Sequence, residues 1–464
     1  MVESPLYNHQ EKVVRLLRFL KEHFFPVDAE GKSSKRAEKA PVPSMEQAHA
    51  YLWPDMDYAH QQLRYVMTDL TRIVEEFLVQ QQLDRDPALR TRLLLQAYLE
   101  RNQDKAFSMT LNKTLKALDA ASLRDTGYHF RKFRLEEAGL HHDRQRANRS
   151  GEDWIFPLLR ELRHFSLGIR LKYICEILNR SLVLSGSFDQ ALVDEVQSEA
   201  QNMGPDAPPA IALYRSVLNT LLDPEDRSHY HSLRQQLRAF ADQFSHKELG
   251  QQYAFALNYC IRRLNKGEPE YLRELFTLYQ ELIDRLLLHE DGMLPPQHFK
   301  NIVTVGVRLR EFEWTEAFIE KLHHDIAPSE RQNAYQYNLA SLKFAQGNYG
   351  AARKLLQRVY FSDIFYALDS KAMLLKSYYE LEDWEPLLSL LDAFRNLLRR
   401  NKTISDVQRT LYSHLIRYVR KMVSIKLGGK AKAATLLTEI EQVKDIADLG
   451  WLKEKMGELA KVER

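Results

Sequence analysis

The apolar and polar positions of the chain repeat with a period of 35 residues in its C-terminal half. Trp314, Tyr349 and Trp384 mark the period, and each follows a turn-like stretch and precedes an apolar segment. Mostly apolar residues recur five, nine and ten positions before each aromatic residue, and these offsets lie on one face of a helix. The pattern therefore predicts pairs of helices joined by a turn, with the aromatic residue at the start of the second helix.

The residue before each aromatic position supports this helix start. Glu313, Asn348 and Asp383 stand there, and polar or acidic side chains suit a helix N-terminus because they accept hydrogen bonds from free backbone N–H groups. One helical pair cannot bury its apolar face alone, whereas neighbouring pairs stacked in register can. We therefore expect an all-α protein built from stacked helical hairpins.

The second copy of the repeat carries a characteristic set of residues: Asn338-Leu339-Ala340, Gly347-Asn348-Tyr349, then Ala352, Leu356 and Val359. This set resembles the small-residue and aromatic skeleton of the tetratricopeptide family of helical repeats, over about residues 296–400 and more loosely from residue 154. The early-helix Trp of that family and the small residue at its tight packing position are missing from most copies. The resemblance implies a right-handed α-solenoid whose concave groove binds peptides or proteins.

Three earlier aromatic residues extend the pattern at longer intervals. Phe188, Tyr230 and Tyr271 are separated by 42 and 41 residues, which predicts hairpins with longer helices or loops. Asp223 precedes Pro224, and an acidic cap followed by proline favours a helix start because proline lacks an N–H that the first turn leaves unbonded. We therefore expect a helix to begin at this position.

The N-terminal third follows a different pattern and forms a helical head module in our interpretation. The predicted organisation is an N-terminal helix at 1–25, a polar linker at 26–43, a helical head and connector at 44–150, tetratricopeptide-like repeats at 151–400 and basic capping helices at 401–464. Within the head, the apolar pattern of residues 59–82 predicts a helix. Its core side is formed by Leu63, Val66, Leu70, Ile73, Phe77 and Leu78. The early start of the first helix leaves open that a larger ancestral domain was cut short at Met1.

Composition agrees with this organisation. The chain is 44% hydrophobic and 28% charged, and this hydrophobic content is enough for a large extended core. Its 464 residues are too many for one compact domain. No apolar run approaches the roughly 20 residues of a membrane span, and the N-terminus lacks a secretory pattern, so we expect a cytoplasmic protein without membrane contact. Cys175 and Cys260 lie in helical apolar patterns, which predicts buried free thiols in a reducing compartment.

Positive charge is concentrated near the C-terminus. Residues 395–432 contain eleven basic residues and one acidic residue, although the whole chain carries only +3. Arg417, Arg420 and Lys421 lie off the apolar stripe of their predicted helix, where they can meet acidic side chains or phosphates. The alternative is that these cations only complement the helix dipole and solvate a terminal cap. If the patch binds a ligand, the scarcity of interleaved aromatic residues favours an acidic protein segment over nucleic acid.

Catalytic and metal-binding patterns are weak. The clusters His141-His142-Asp143, His229-Tyr230-His231 and His323-His324-Asp325 bring ligand types together, but adjacent helical residues point about 100° apart and none shows the i, i+4 pairing of a helical zinc site. No phosphate-binding glycine loop, dinucleotide fingerprint or Gly-x-Ser-x-Gly elbow is present in the sequence. We therefore predict no metal ligand, no cofactor and no catalytic residue.

The leading functional hypothesis is a non-enzymatic scaffold or adaptor that binds a protein or peptide segment, possibly an acidic one, through the helical-repeat surface. It predicts exposed aromatic and polar residues on the first helices of the hairpins, and the candidates are Tyr335, Tyr337, Lys343, Lys371 and Tyr378. Tyr337 and Tyr378 also suit a second role, which is packing between hairpins.

Two alternatives belong to other classes. A regulatory protein would contact nucleic acid through the basic C-terminal helix or through the head, where Gln61, Gln62, Arg64 and Thr68 are polar groups of the type that meets base edges. An enzyme would need a helical active site assembled from dispersed residues, with a deep pocket and convergent titratable groups.

Overall fold

A computed structural model of the protein describes residues 1–4, 7–24, 42–145, 155–182, 188–359, 364–429, 433–443 and 445–462. Within these ranges the chain is helical and contains no β-strand, and an isolated antiparallel bridge joins Glu290 and Met293. The predicted all-α class is therefore confirmed. Nearly all of the predicted polar linker at 26–43 lies outside the described residues.

The contacts divide the chain into two units, Met1–Ser166 and Leu167–Arg464. The helices of the first unit are α1 (Glu11–Phe24), α2 (Met45–Leu52), α3 (His60–Arg85), α4 (Pro87–Glu100), α5 (Asp104–Ala120), α6 (Thr126–Gln145) and the start of α7 (Ile155–Ser181). The division falls within α7, whereas the predicted boundary at 150/151 lies outside the described residues.

The first unit contains two small apolar cores. Helices α1, α2 and α3 pack around buried side chains that include Val13, Leu16, Leu52, Leu63, Val66, Leu70 and Ile73. Helix α3 has 26 residues and is therefore about 39 Å long, so that its second half extends past this core. Phe77 and Leu78 lie in that half and are exposed; their predicted place on the core side was wrong. The second core joins α4, α5 and α6 through Leu95, Phe107 and Leu135.

The second unit continues from α7 through fourteen further helices. They are α8 (Gln190–Asn202), α9 (Pro209–Leu222), α10 (Arg227–Phe240), α11 (His246–Asn265), α12 (Tyr271–Asp284), α13 (Pro296–Arg308), α14 (Phe312–Leu322), α15 (Pro328–Ala345), α16 (Tyr349–Leu356), α17 (Ile364–Glu380), α18 (Trp384–Arg400), α19 (Asp406–Lys426), α20 (Ala433–Gln442) and α21 (Leu449–Val462). Short 3-10 turns follow α10 at Ala241–Gln243 and α14 at His323–Asp325.

Helices of the second unit pack mainly on their neighbours in sequence. From α8 to α19, described helices that are consecutive in the chain contact each other in most steps, and α9 also contacts α11, α13 contacts α15, and α15 contacts α17. One apolar core runs from α7 to α15 and another from α17 to α21. Cys175 and Cys260 are buried free thiols in the first of these cores, as predicted.

The aromatic residues of the repeat stand where second helices were predicted to start. Tyr349 and Trp384 are the first residues of α16 and α18, and the Asn348 side chain caps α16 by accepting a hydrogen bond from the Ala351 backbone N–H at 3.1 Å. Helix α14 begins earlier than predicted, because its N-cap is Glu311 and Trp314 is its third residue.

One predicted helix start was wrong. Helix α10 begins at Arg227, and Asp226 is its cap, accepting a hydrogen bond from the Ser228 backbone N–H at 2.8 Å. Asp223 instead ends α9, where its backbone N–H donates to the Asn219 carbonyl at 2.9 Å. Two carboxylates that suit an N-cap lie three residues apart here, and Asp223 is already used to terminate the preceding helix.

Candidate functional site

Helices α13, α17 and α19 surround a polar and aromatic groove. The groove encloses about 340 Å³ and is lined by Gln297, Lys300, Tyr366, Leu368, Asp369, Gln408 and Tyr412. These residues come from α13, α17 and α19. Because the lining side chains belong to helices far apart in sequence, the groove exists only after the helices have stacked.

Lys300 is the central cation of this groove. Its ammonium donates to Asp369 Oδ2 at 2.7 Å, and the Lys300 side chain is 18% exposed. The same nitrogen lies 4.3 Å from the ring centroid of Tyr366 and 5.3 Å from that of Tyr337. A cation over aromatic faces is held by the ring quadrupole, so Lys300 is positioned by two rings as well as by a carboxylate.

Asp369 is bonded through both carboxylate oxygens. Lys300 binds Oδ2, and the hydroxyl of Tyr412 donates to Oδ1 at 2.8 Å. The hydroxyl of Tyr366 donates to the Pro296 carbonyl at 3.1 Å. These bonds join α17 to α13 on one side and to α19 on the other, so the groove has a fixed polar floor.

The tyrosines of the groove stay protonated near neutral pH. Burial raises the pKa of Tyr337 and of Tyr412, and the negative charge of Asp369 raises both further. A neutral phenol can donate a hydrogen bond. The Tyr412 hydroxyl therefore acts as a donor toward Asp369 rather than as a competing negative charge.

The predicted partner-binding residues of α15 and α17 lie outside the groove lining. Tyr337 and Tyr378 are buried, which is the packing role that the sequence also allowed, and Tyr378 accepts a hydrogen bond from the Gln357 side chain at 2.9 Å. Tyr335 donates to Glu320 at 2.8 Å, and Lys343 pairs with Glu316 at 2.7 Å. Lys371 is half-buried on α17.

The basic residues of α19 are partly neutralised by neighbouring helices. Arg420 pairs with Asp392 at 2.5 Å, and Lys421 pairs with Glu439 at 2.6 Å. Arg417 is exposed, with its guanidinium carbon 5.6 Å from the ring centroid of Tyr418. The acidic partners lie outside residues 395–432, so the charge counted along the sequence overstates the local positive field. Lys430 and Lys432 lie outside the described residues.

Lys300, Tyr366, Asp369 and Tyr412 were not singled out as a set from the sequence. Lys300 and Asp369 are 69 residues apart, and no local pattern connects them. The repeat itself carries a partial signal, because Lys300 stands fourteen residues before Trp314, as Tyr335 does before Tyr349. That shared column does not indicate the ion pair.

His229 and His142 belong to two of the histidine clusters named from the sequence. His229 lies with Asp223 and Asp226, and one ligand atom of each is within 4.8 Å of the others. All three are at least partly exposed, and exposed acidic groups of this kind are common without an ion. His142 is buried, stacks on Phe107 with ring centroids 4.5 Å apart, and hydrogen-bonds Asp104 at 3.2 Å.

Comparisons with protein-family models, with curated proteins and with solved structures found no match for this chain. Within the described parts of the chain, every helix falls short of the length and apolar character that crossing a bilayer would require.

Proposed function

We propose that the protein is a non-enzymatic scaffold or adaptor that binds a protein or peptide segment in the groove between α13, α17 and α19. The single observation that carries the proposal is the polar and aromatic lining of this groove, centred on Lys300, Asp369 and Tyr366. A cytoplasmic location and the absence of a cofactor are parts of the same proposal.

The proposal includes a right-handed α-solenoid of tetratricopeptide-like hairpins in the second unit. Its support is the packing order, in which neighbouring helices pair and the first helices α13, α15 and α17 also contact in sequence. In a solenoid of this kind the first helices line the concave surface that such proteins use for binding. Five of the seven lining residues stand on α13 and α17, and the other two, Gln408 and Tyr412, stand on α19.

An extended segment suits the chemistry of the lining. Its backbone presents unpaired N–H and C=O groups, and the amides of Gln297 and Gln408 can both donate and accept hydrogen bonds. The Tyr366 ring supplies apolar contact area of the type enriched in interfaces. An acidic residue of the segment would take the place of Asp369 at Lys300, so an acidic segment is the proposed ligand.

Competing classes are less well supported by the same geometry. Nucleic-acid binding through α19 would draw on Arg417, Arg420 and Lys421, but two of these already pair with carboxylates. Binding to phosphates would need those ion pairs to open, which lowers the net gain in free energy. The Gln297 and Gln408 amides of the groove hold only exposed hydrogen bonds, to Asn301 and Ser405, so a peptide backbone can reach them without opening an ion pair. Only an acidic residue at Lys300 would open one, the pair with Asp369.

The test is selection of a displayed random-peptide library on the full-length protein. Lys300→Gln is compared with Lys354→Gln, which removes the same charge from an exposed position on α16. We expect acidic peptides to be enriched, with affinity about tenfold weaker for Lys300→Gln, a loss of about 1.4 kcal/mol, and unchanged for Lys354→Gln.

Two results would count against the proposal. One is the absence of any enriched peptide family, and the other is equal affinity of Lys300→Gln and wild type for the enriched peptides. Labelled duplex DNA and RNA form a second arm of the experiment. Binding to either that disappears at high salt and in Arg417→Glu would favour the regulatory alternative.

A further inference from the structure

A cluster of ligand-type side chains lies in the first unit, away from the groove. His129 on α6 meets Glu161 and His164 on α7, and one ligand atom of each lies within 4.8 Å of the other two. The side chains of His129 and Glu161 are each 5% exposed, and that of His164 is 14% exposed. Nitrogen and carboxylate donors are therefore gathered in a site that water reaches poorly.

Two histidine nitrogens in this cluster are left without a partner. His129 Nδ1 shares a hydrogen bond of 2.8 Å with Glu161 Oε2. His129 Nε2 and His164 Nδ1 are buried and make no hydrogen bond. An unpartnered buried polar atom costs about 1–3 kcal/mol and calls for an explanation in a folded protein. A cation bound beside Glu161 Oε2 would satisfy the lone pair of His164 Nδ1.

The two imidazole rings have the spacing of co-ligands. Their centroids are 5.1 Å apart with an angle of 76° between the ring planes. Two imidazoles bound to one tetrahedral ion at metal–nitrogen distances of about 2.0–2.1 Å have centroids roughly 5 Å apart. His164 Nδ1 lies 4.0 Å from Glu161 Oε2, so small side-chain rotations bring the donors to one ion.

The helices place these donors in a suitable order. Glu161 and His164 are three residues apart and therefore lie on one face of α7, while His129 reaches them from α6. A Glu-x-x-His pair on one helix, completed from a neighbouring helix, is a known way to hold a metal within packed helices. Only the Glu161–His164 spacing is readable in the sequence, because His129 is 32 residues from Glu161.

The protonation states favour metal binding. Burial lowers the pKa of His164 to about 4, and the nearby His129 acts in the same direction, so this imidazole is neutral near pH 7. Burial opposes ionisation of Glu161, but the hydrogen bond and charge of His129 outweigh it and lower the pKa of the carboxyl group.

We propose that His129, Glu161 and His164 form a binding site for one divalent transition-metal ion, with Zn²⁺ as the best match. Two imidazoles and one carboxylate are a zinc ligand set that leaves a fourth position open. Glu136 stands two turns from His129 on the same face of α6, and its Oε2 is buried without a hydrogen-bond partner.

Positive charges near the cluster set a limit on affinity. Lys132 Nζ lies 4.0 Å from Glu161 Oε1, and Arg160 Nε lies 3.8 Å from the same oxygen. Both cations approach Oε1, whereas the two histidines face Oε2. The ion would therefore bind at Oε2, on the side of the carboxylate away from these charges.

The experiment is calorimetric titration of the full-length, chelator-treated protein with Zn²⁺ alone, together with the visible absorption of added Co²⁺. We compare wild type with Glu161→Gln and His164→Ala. His229→Ala is the control, because it removes a histidine from the exposed Asp223–Asp226–His229 cluster. We expect one tight equivalent in wild type and in the control, and affinity at least about tenfold weaker in the two site variants.

Tetrahedral Co²⁺ bands should appear in wild type and be lost in Glu161→Gln. This variant is nearly isosteric with wild type, so it decides the question if His164→Ala does not fold. Equal Zn²⁺ affinity and stoichiometry in wild type and folded Glu161→Gln would overturn the proposal. Loss of the tight site in His229→Ala alone would also overturn it, because the ion would then lie in the exposed cluster.

Discussion

One polar cluster in each unit of the molecule shows two ways in which buried polar groups are accommodated. In the second unit, the buried Arg234 guanidinium is matched by Glu281 through two hydrogen bonds of 2.8 Å and by Glu274 at 2.6 Å. In the first unit, the buried His129 and His164 keep nitrogens without partners. A paired buried charge maintains a fold, whereas unpaired buried donors are retained most readily where a ligand satisfies them.

Their apolar cores differ as well. The second unit has a large core from α7 to α15 and another from α17 to α21, whereas the buried apolar residues of the first unit form two smaller clusters. The second half of α3 leaves Phe77, Leu78 and Val79 exposed. Helices of the second unit that are neighbours in sequence pack on each other and extend a shared core, and the cores of the first unit are smaller. The comparison therefore predicts unequal responses of the two units to similar mutations.

The largest expected effect is the truncation of a core phenylalanine in the second unit. Phe299 is fully buried on α13, so Phe299→Ala should lower the free energy of unfolding by about 3–5 kcal/mol. Phe77→Ala on α3 is the control and should cost less than about 0.5 kcal/mol, because the side chain is exposed. Hydrogen exchange measured by mass spectrometry reports the free energy of each unit separately. Equal losses would remove the proposed difference between the cores.

A second mutation tests the paired charge. Arg234→Ala leaves Glu274 and Glu281 without their buried partner and should lower the free energy of unfolding of the second unit by about 3 kcal/mol. This is the lower end of the range for breaking a buried ion pair, because both carboxylates are partly exposed. Arg238 contacts the same Glu281 at 3.3 Å, but its side chain is 63% exposed. Arg238→Ala should therefore cost less than about 1 kcal/mol. Denaturant unfolding monitored by Trp fluorescence measures the free energy of unfolding of both variants. A similar loss of free energy in each variant would contradict the role assigned to burial.

The smallest effect concerns pH. His164 has a folded-state pKa of about 4, below its ordinary value of 6.5, so the unfolded chain binds a proton first as the pH falls. Stability from this group is complete above pH 6.5 and declines toward pH 4, with a slope of at most about 1.4 kcal/mol per pH unit. Metal-free wild type should show this slope in hydrogen exchange of α6 and α7, and His164→Asn should show less. An unchanged slope in the variant would exclude His164 as its source.

Glu281 provides the contrast in the second unit. Burial opposes its ionisation, but the hydrogen bonds and charge of Arg234 outweigh burial and lower the pKa of this carboxyl group below 4.5. A carboxylate with a lowered pKa stabilises the fold above the unfolded-state value, and that contribution is lost as the pH falls through the folded-state value. The stability contributed by the Arg234–Glu281 pair should therefore persist through the pH range in which the contribution of His164 declines.

Local signals in the sequence predicted much of the fold. Helices α16 and α18 begin at Tyr349 and Trp384, because cap and aromatic positions act within a single turn. The same kind of signal placed a helix start at Asp223 wrongly, since Asp226 is an equally suitable cap three residues later. Phe77 was misplaced because helical periodicity shows which face is apolar but not where the neighbouring helices end.

The sequence by itself determined the helices, their apolar faces and the repeat, because a helical turn and its caps involve residues only a few positions apart. Tertiary structure decided that Lys300 meets Asp369 and that His129 meets Glu161. It also decided that Arg420 and Lys421 are neutralised by Asp392 and Glu439. Each of these contacts joins different helices, so its existence depends on packing geometry, burial and distance, which local periodicity does not specify.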